Sequence, residues 1–265
     1  MSEYLELKGL PKGYLSYTQY NQWLRCPKQF EYRYVDGLKI PPKSSLILGK
    51  GIHRGLEWAF NDHLRAGHPP KQNDVLAATV EAVEGELKEI PKSEIDWAAG
   101  DTDSKLKDDS VGLIKVYEPK RISIVPKTVE KKFDIEFSNM DYKLTGRVDL
   151  ETEKEIIDFK TTSRKQPEDS AEQSEQLSLY QIQSEPKESL ELHVLIRKKV
   201  PGLQVLKSLP RNPGKINELL ENIGKVATLI KAGIFPKVLE NAPGSPCSYC
   251  GYYEKCRNKK RILKG

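Results

Sequence analysis

The sequence predicts an α/β protein built on a central mixed β-sheet flanked by helices. Three observations carry this expectation. Apolar residues recur at helical spacing up to about residue 90, β-rich runs take over from residue 121 to 160, and a strand pair at 190–209 lies between two further helical segments. With 31% charged and 37% apolar residues, the chain can build a core and remain soluble. It holds no apolar run of about 18 residues, the length a membrane span needs, and its N-terminus carries no apolar signal segment. A cytoplasmic protein with no membrane partner is the expectation.

Residues 14–35 read as a helix, with Tyr14, Tyr17, Tyr20 and Trp23 every third position as a core-packing stripe and Ser16 as its cap. Pro27 lacks an N–H and restricts Cys26 before it, which predicts a break there. Pro41-Pro42 closes that unit. Residues 44–66 form a second helix whose stripe is Leu46, Leu48, Ile52, Leu56, Ala59, Phe60 and Leu64. Gly49 and Gly51 precede His53 and mark a close backbone approach; His63 and His68 read as surface residues. Residues 73–90 form a third helix and 98–110 a mobile loop, with a short helix at 105–117. Strands follow at 121–125, 128–137, 141–151 and 154–160, with Asn139 near a turn. A helix at 169–183, a hairpin at 190–199 and 203–209 across Pro201-Gly202, and a helix at 214–232 complete the order.

The chemistry concentrates at 146–160. Asp149 and Asp158 lie on two short runs that pair as a hairpin, 144–151 with 154–160, and Lys160 stands two residues beyond Asp158. Residues two apart on a strand share a face, so Asp158 and Lys160 project together and Asp149 joins them across the hairpin. Two carboxylates and an ammonium on one sheet face suit a divalent cation and a phosphate. Gln176 and Tyr180, four apart on the next helix, share a face that can reach the hairpin end.

Charge and cysteines add to this. The net charge of +5 equals the excess in residues 247–265, where Lys255, Arg257, Lys259, Lys260, Arg261 and Lys264 outnumber Glu254. Such a tail is either a solvated end or a phosphate contact. Cys247, Cys250 and Cys256 form C-x2-C-x5-C, and Cys26 lies far upstream. This clustering favours metal over disulfides, and spacing leaves zinc and iron–sulfur both open.

In this order, Gly49-x-x-x-His53, Gly146-Arg-Val-Asp149, Asp158-Phe-Lys160-Thr161 and Gln176-x-x-x-Tyr180 resemble the PD-(D/E)xK nuclease superfamily, in its RecB-like branch. The N-terminal Leu15-Ser-Tyr…Cys26-Pro27 segment and the terminal cysteines extend the resemblance to the AddB nuclease domain and the CRISPR adaptation nuclease. It implies a single nuclease domain over 1–265 with a restriction-endonuclease-like core at 121–210. A mainly helical cap (1–120) carries Cys26 and His53, and 211–265 supplies a helix and the cysteine cluster.

The implied metal ligands are His53, Asp149, Asp158 and the Phe159 carbonyl, holding Mg2+ or Mn2+. Lys160 activates water, Gln176 and Tyr180 position the strand, and Glu130 and Thr161 support the site. Cys26, Cys247, Cys250 and Cys256 are implied ligands of a [4Fe–4S] cluster that staples the N-terminal helix to the C-terminus, with structural Zn2+ as the alternative. The implied activity is a DNA exonuclease, 5′→3′ on single strands or DNA ends, in phage recombination, DNA repair or CRISPR adaptation. The basic tail and the aromatic helix are expected along the DNA channel, and a recombinase, helicase or CRISPR adaptation protein is the candidate partner. A structure-specific endonuclease and a non-catalytic DNA-binding assembly subunit of the same fold are the alternatives. Oligomeric state and host stay open.

Overall fold

In the computed structural model, residues 13–136 and 142–260 are described. The expected turn at Asn139 and the tail cations Arg261 and Lys264 lie outside them. In chain order the elements are β1 (Tyr14–Ser16), α1 (Tyr17–Arg25), α2 (Pro27–Phe30), a π-helical turn (Glu31–Val35), α3 (Ser44–Ala66), α4 (Gln72–Lys88), α5 (Asp103–Arg121), β2 (Thr128–Glu136), β3 (Lys143–Glu151), β4 (Glu155–Thr162), α6 (Glu175–Ile182), β5 (Ser189–Ile196), β6 (Gly202–Ser208), α7 (Pro213–Lys231) and α8 (Tyr253–Arg257). The strands form one six-stranded mixed sheet in the order β1-β3-β4-β5-β6, with β2 also on β3. The expected α/β class and mixed sheet are therefore observed.

The chain divides into two compact units, 41–132 with 147–212 and 1–40 with 133–146 and 213–265. In the first, β3 and β4 run antiparallel with Leu150 opposite Ile157, β4 and β5 run parallel with Asp158 opposite Leu192, and β5 and β6 run antiparallel. Its core joins Leu48, Ile52, Leu56 and Phe60 of α3 to Val83 of α4, Leu113 and Tyr117 of α5, and Ile157 and Phe159 of β4. Helices α3 and α4 touch through glycine. A Cβ on Gly51 would lie 2.3 Å from the Val83 side chain, and one on Gly55 would lie 2.9 Å from the Thr79 Cα. The close approach read from the glycines before His53 thus falls at Gly51 and Gly55, whereas Gly49 faces open space.

Several expectations in this unit are corrected. Leu46 and Leu64 are exposed, because the buried stripe of α3 runs instead through Ile47. His63 is buried on that helix rather than on the surface, and burial pushes its pKa down. The loop expected at 98–110 is largely helical. Thr102 caps α5 by accepting the Lys105 N–H at 3.1 Å, and Asp101 is held by Ser44 Oγ at 2.6 Å and by a bidentate Arg197. Residues 121–125 are not a strand but the end of α5 and a turn, with Ile122 and Val125 exposed. Regular helix in the expected 169–183 segment is confined to α6.

Strand β5 is buried at all but its first position, as a strand covered on both faces should be. It nevertheless carries Glu191 and His193, both fully buried. Glu191 contacts Lys207 Nζ at 2.6 Å and His193 Nε2 at 2.8 Å, and His193 Nδ1 pairs with the Tyr117 hydroxyl at 2.7 Å. Each buried polar group is thereby satisfied.

In the second unit, β1 runs parallel to the start of β3, with Leu15 beside Leu144. Ser16 and Gln19 form a capping box at the start of α1. The single helix expected over 14–35 is thus a strand, two helices and a π-turn. Of its aromatic stripe, Tyr20 is buried and Tyr14, Tyr17 and Trp23 are part-exposed. Cys26 breaks the segment as expected, in extended conformation between α1 and Pro27.

Candidate metal-dependent active site

Continuing the β3–β4 register by one residue sets Asp149 opposite Asp158, so the hairpin read from the sequence brings both carboxylates to one place. Asp158 is fully buried and Asp149 nearly so. The Phe159 N–H donates to Asp149 Oδ2 at 2.9 Å and fixes that carboxylate against β4. Burial, and then the charge of Asp158, push the Asp149 carboxyl well above its ordinary range. Concentrated negative charge of this kind is relieved by a cation.

Helix α3 supplies His53, whose Nδ1 lies 3.5 Å from Asp149 Oδ2. Its ring stands edge-on to Phe159, and burial pushes its pKa down, which keeps the imidazole neutral and able to ligate. The Phe159 carbonyl also faces this ring. Glu130 completes the group: His53, Glu130 and Asp149 each present a donor atom within 4.8 Å of the others. Glu130 sits inside β2 with φ of 50°, a left-handed backbone that costs on the order of 1–3 kcal/mol for a non-glycine residue. Such strain concentrates where a side chain must be aimed. Its carboxylate is paired with Arg147 at 3.2 Å, and burial followed by the charges of Glu57 and Asp158 raises its pKa. One imidazole and two carboxylates are a fitting donor set for Mg2+ or Mn2+.

Asp158 is also held by a second set of side chains. Lys160 Nζ lies 2.7 Å from Asp158 Oδ2 and donates to Gln176 Oε1 at 2.8 Å. Gln176 Nε2 donates to the Tyr180 hydroxyl at 2.5 Å, which in turn donates to Asp158 Oδ1 at 3.4 Å. The four side chains close a ring that ties α6 to β4. Burial lowers the Lys160 pKa, but the charge of Asp158 and its hydrogen bond outweigh this and hold the ammonium charged. Burial keeps Tyr180 a protonated phenol. Thr161 lies within β4, and among the described residues its buried hydroxyl has no hydrogen-bond partner.

All four cysteines line one pocket, together with Tyr32, Lys237 and Arg257. No three of their sulfurs lie mutually within 4.8 Å. Arg257 Nη2 donates to Cys247 Sγ at 3.3 Å, and burial raises the Cys250 thiol pKa. Of the described tail cations, Lys255 stands over the Tyr32 ring and Lys259 pairs with Glu240 at 3.0 Å.

A family model of the PD-(D/E)XK nuclease superfamily matches residues 14–257. The chain belongs to the PD-(D/E)XK nuclease superfamily. Among solved structures, a candidate exonuclease from Eubacterium rectale superposes with a TM-score of 0.57 at 11% identity, covering 99% of this chain and 94% of that one. At that identity the likeness concerns the fold. No curated protein matches. Superfamily nucleases generally use Mg2+ or Mn2+, in accord with the donor set above. Among the described residues, no helix is long and apolar enough to cross a membrane.

Two features of the site go beyond what the sequence pattern implies. Glu130, expected to support the site, presents a donor atom in the group with His53 and Asp149. Gln176 and Tyr180, expected to position the strand, also hydrogen-bond within the ring that holds Lys160 and Asp158. A strained φ and a side-chain ring leave no sequence periodicity to detect.

Proposed function

We propose that this protein is a metal-dependent DNA exonuclease of the RecB-like branch. The observation that carries the reading is the His53–Glu130–Asp149 donor group beside the Asp158–Lys160 pair. His53, Asp149, Asp158 and the Phe159 carbonyl, with Glu130, would hold Mg2+ or Mn2+. A bound divalent cation lowers the pKa of water to give the nucleophile and offsets charge on the phosphate. Lys160, held by Gln176 and Asp158, would orient the attacking water and offset charge on the scissile phosphate. Tyr180 keeps the Lys160–Asp158 geometry fixed through Gln176. Strands or ends of DNA are the substrate, and 5′→3′ polarity follows the resemblance to the AddB domain and the CRISPR adaptation nuclease. That resemblance also suggests work in recombination, repair or CRISPR adaptation, beside a recombinase, helicase or adaptation protein.

The cysteine pocket is proposed to hold a [4Fe–4S] cluster. The reading rests on the resemblance and on all four cysteines lining one pocket. Arg257 donates to Cys247 Sγ, a hydrogen bond of the kind that tunes a sulfur-held cluster. Cys26 would then clasp the first helices to the C-terminal cysteines.

Digestion of 5′- and 3′-labelled single and double strands, beside circular DNA, tests the activity with either metal. Release of nucleotides from labelled ends with circles left intact supports the exonuclease. Cutting of circles would instead give an endonuclease, and absence of all cleavage would give a DNA-binding assembly subunit. A brown protein bleached by dithionite supports the cluster; a colourless protein with one zinc rejects it.

A further inference from the structure

Helix α3 carries a second surface that the metal chemistry does not use. Lys50, Arg54 and Trp58 are spaced four apart and form one ridge along the helix. The side chains of Lys50 and Arg54 are each 52% exposed, and Trp58 is 40% exposed. His53, a member of the donor group, lies on the adjoining face between the first two turns of this ridge. Glu57, on His53's side, faces Glu130.

Both cations stand on one buried carboxylate. Glu86 of α4 is 1% exposed and meets Lys50 Nζ and Arg54 Nη1 at 3.0 Å each. Its Oε1 receives no well-formed hydrogen bond from Arg54, so the guanidinium is anchored by charge. Among the described residues neither cation has another ion-pair or hydrogen-bond partner. The ridge therefore keeps one surplus positive charge and most of its donors free. The close approach of α4 at Gly51 and Gly55 brings Glu86 within reach of both cations.

We propose that this ridge binds single-stranded nucleic acid, with backbone phosphates on Lys50 and Arg54 and a base stacked on Trp58. Cations beside an exposed aromatic side chain are the elements that recognise a single strand without reading its sequence. A duplex keeps its bases stacked inside and offers none to Trp58. Because the ridge adjoins the His53 face, a strand held there continues toward the donor group. The inference rests on the nuclease reading and narrows its substrate to unpaired strands.

The test is binding of a labelled oligothymidylate in EDTA, where metal-dependent cleavage is silent, beside a blunt duplex. The double variant Lys50→Gln/Arg54→Gln should weaken binding at least ten-fold and flatten the slope of log affinity against log salt by about 1.4, near 0.7 per lost phosphate contact. Trp58→Ala should weaken oligothymidylate binding by about five-fold or more through lost stacking, with the salt slope and duplex binding unchanged. A triple variant adding Glu86→Gln removes the orphaned buried charge. If the cations merely clamp α3 to α4, the triple variant recovers wild-type binding and the inference is overturned. If they hold phosphate, it stays as weak as the double variant. Wild-type affinity in the double variant or in Trp58→Ala also overturns the ridge, even where wild-type cleavage upholds the nuclease. Wild-type protein that binds no single strand in EDTA overturns it as well, with metal-dependent cleavage then judging the nuclease separately.

Discussion

Replacing Glu191 by Gln should destabilise the sheet that carries the site, by an amount that depends on pH in a defined window. Burial alone would raise this carboxyl, but hydrogen bonds from His193 and Lys207 outweigh it and bring its pKa from 4.5 down to about 2. A folded-state pKa below the unfolded one gives stability that is complete above 4.5 and lost as pH falls toward 2. At about 1.4 kcal/mol per pKa unit, the charged form contributes on the order of 3 kcal/mol at neutral pH. Gln keeps the shape and can accept from His193, but it offers no charge to Lys207. We therefore expect Glu191→Gln to lose about 2–3 kcal/mol at pH 7, or about 4–12 °C in Tm at about 2–4 °C per kcal/mol. Urea denaturation of both proteins from pH 7 to pH 2.5 isolates the effect, because the remaining carboxylates cancel in the difference. That difference should be flat above 4.5 and shrink steadily below it. A variant as stable as wild type at pH 7, or a difference independent of pH, would refute the reasoning.

Two further outcomes follow from packing and from the cysteine pocket. Gly55→Ala places a methyl 2.9 Å from the Thr79 backbone, so it should cost about 1–3 kcal/mol and weaken divalent-cation binding by displacing the helix that bears His53, read by thermal melts with and without Mn2+. Cys26→Ser should lower iron content and the visible band of the purified protein and reduce its melting temperature, because one of four pocket sulfurs is lost; unchanged iron would remove Cys26 from the ligand set.

The hairpin was legible because two rules coincide in it. Alternation put Asp158 and Lys160 on one face, and the short turn after Glu151 brought Asp149 opposite. Gln176 and Tyr180 were legible from helical spacing, and the Cys26 break from the following proline. What failed was long-range. Ile122, Ile124 and Val125 read as a strand because β-branched residues favour one, yet they close α5. His63 is polar and near a helix end, yet the face it occupies is buried. Glu130 owes its place to a backbone angle that no residue type announces. Glu191 and His193 interrupt an apolar strand, and their pairing with Lys207 and Tyr117 depends on neighbours distant in sequence.

The most direct measurement of the central claim compares Mn2+ binding and DNA cleavage in wild type, Asp149→Asn and Lys160→Ala. Asp149 belongs to the donor group, whereas Lys160 is tied to Asp158 and Gln176 beside it. The account predicts that wild type binds Mn2+ and cleaves, that Asp149→Asn loses both, and that Lys160→Ala binds Mn2+ but loses at least a hundred-fold in cleavage, at the low end for a group acting on proton transfer (roughly 10²–10⁴). Cleavage that persists in EDTA, or in Lys160→Ala at the wild-type rate, would contradict it.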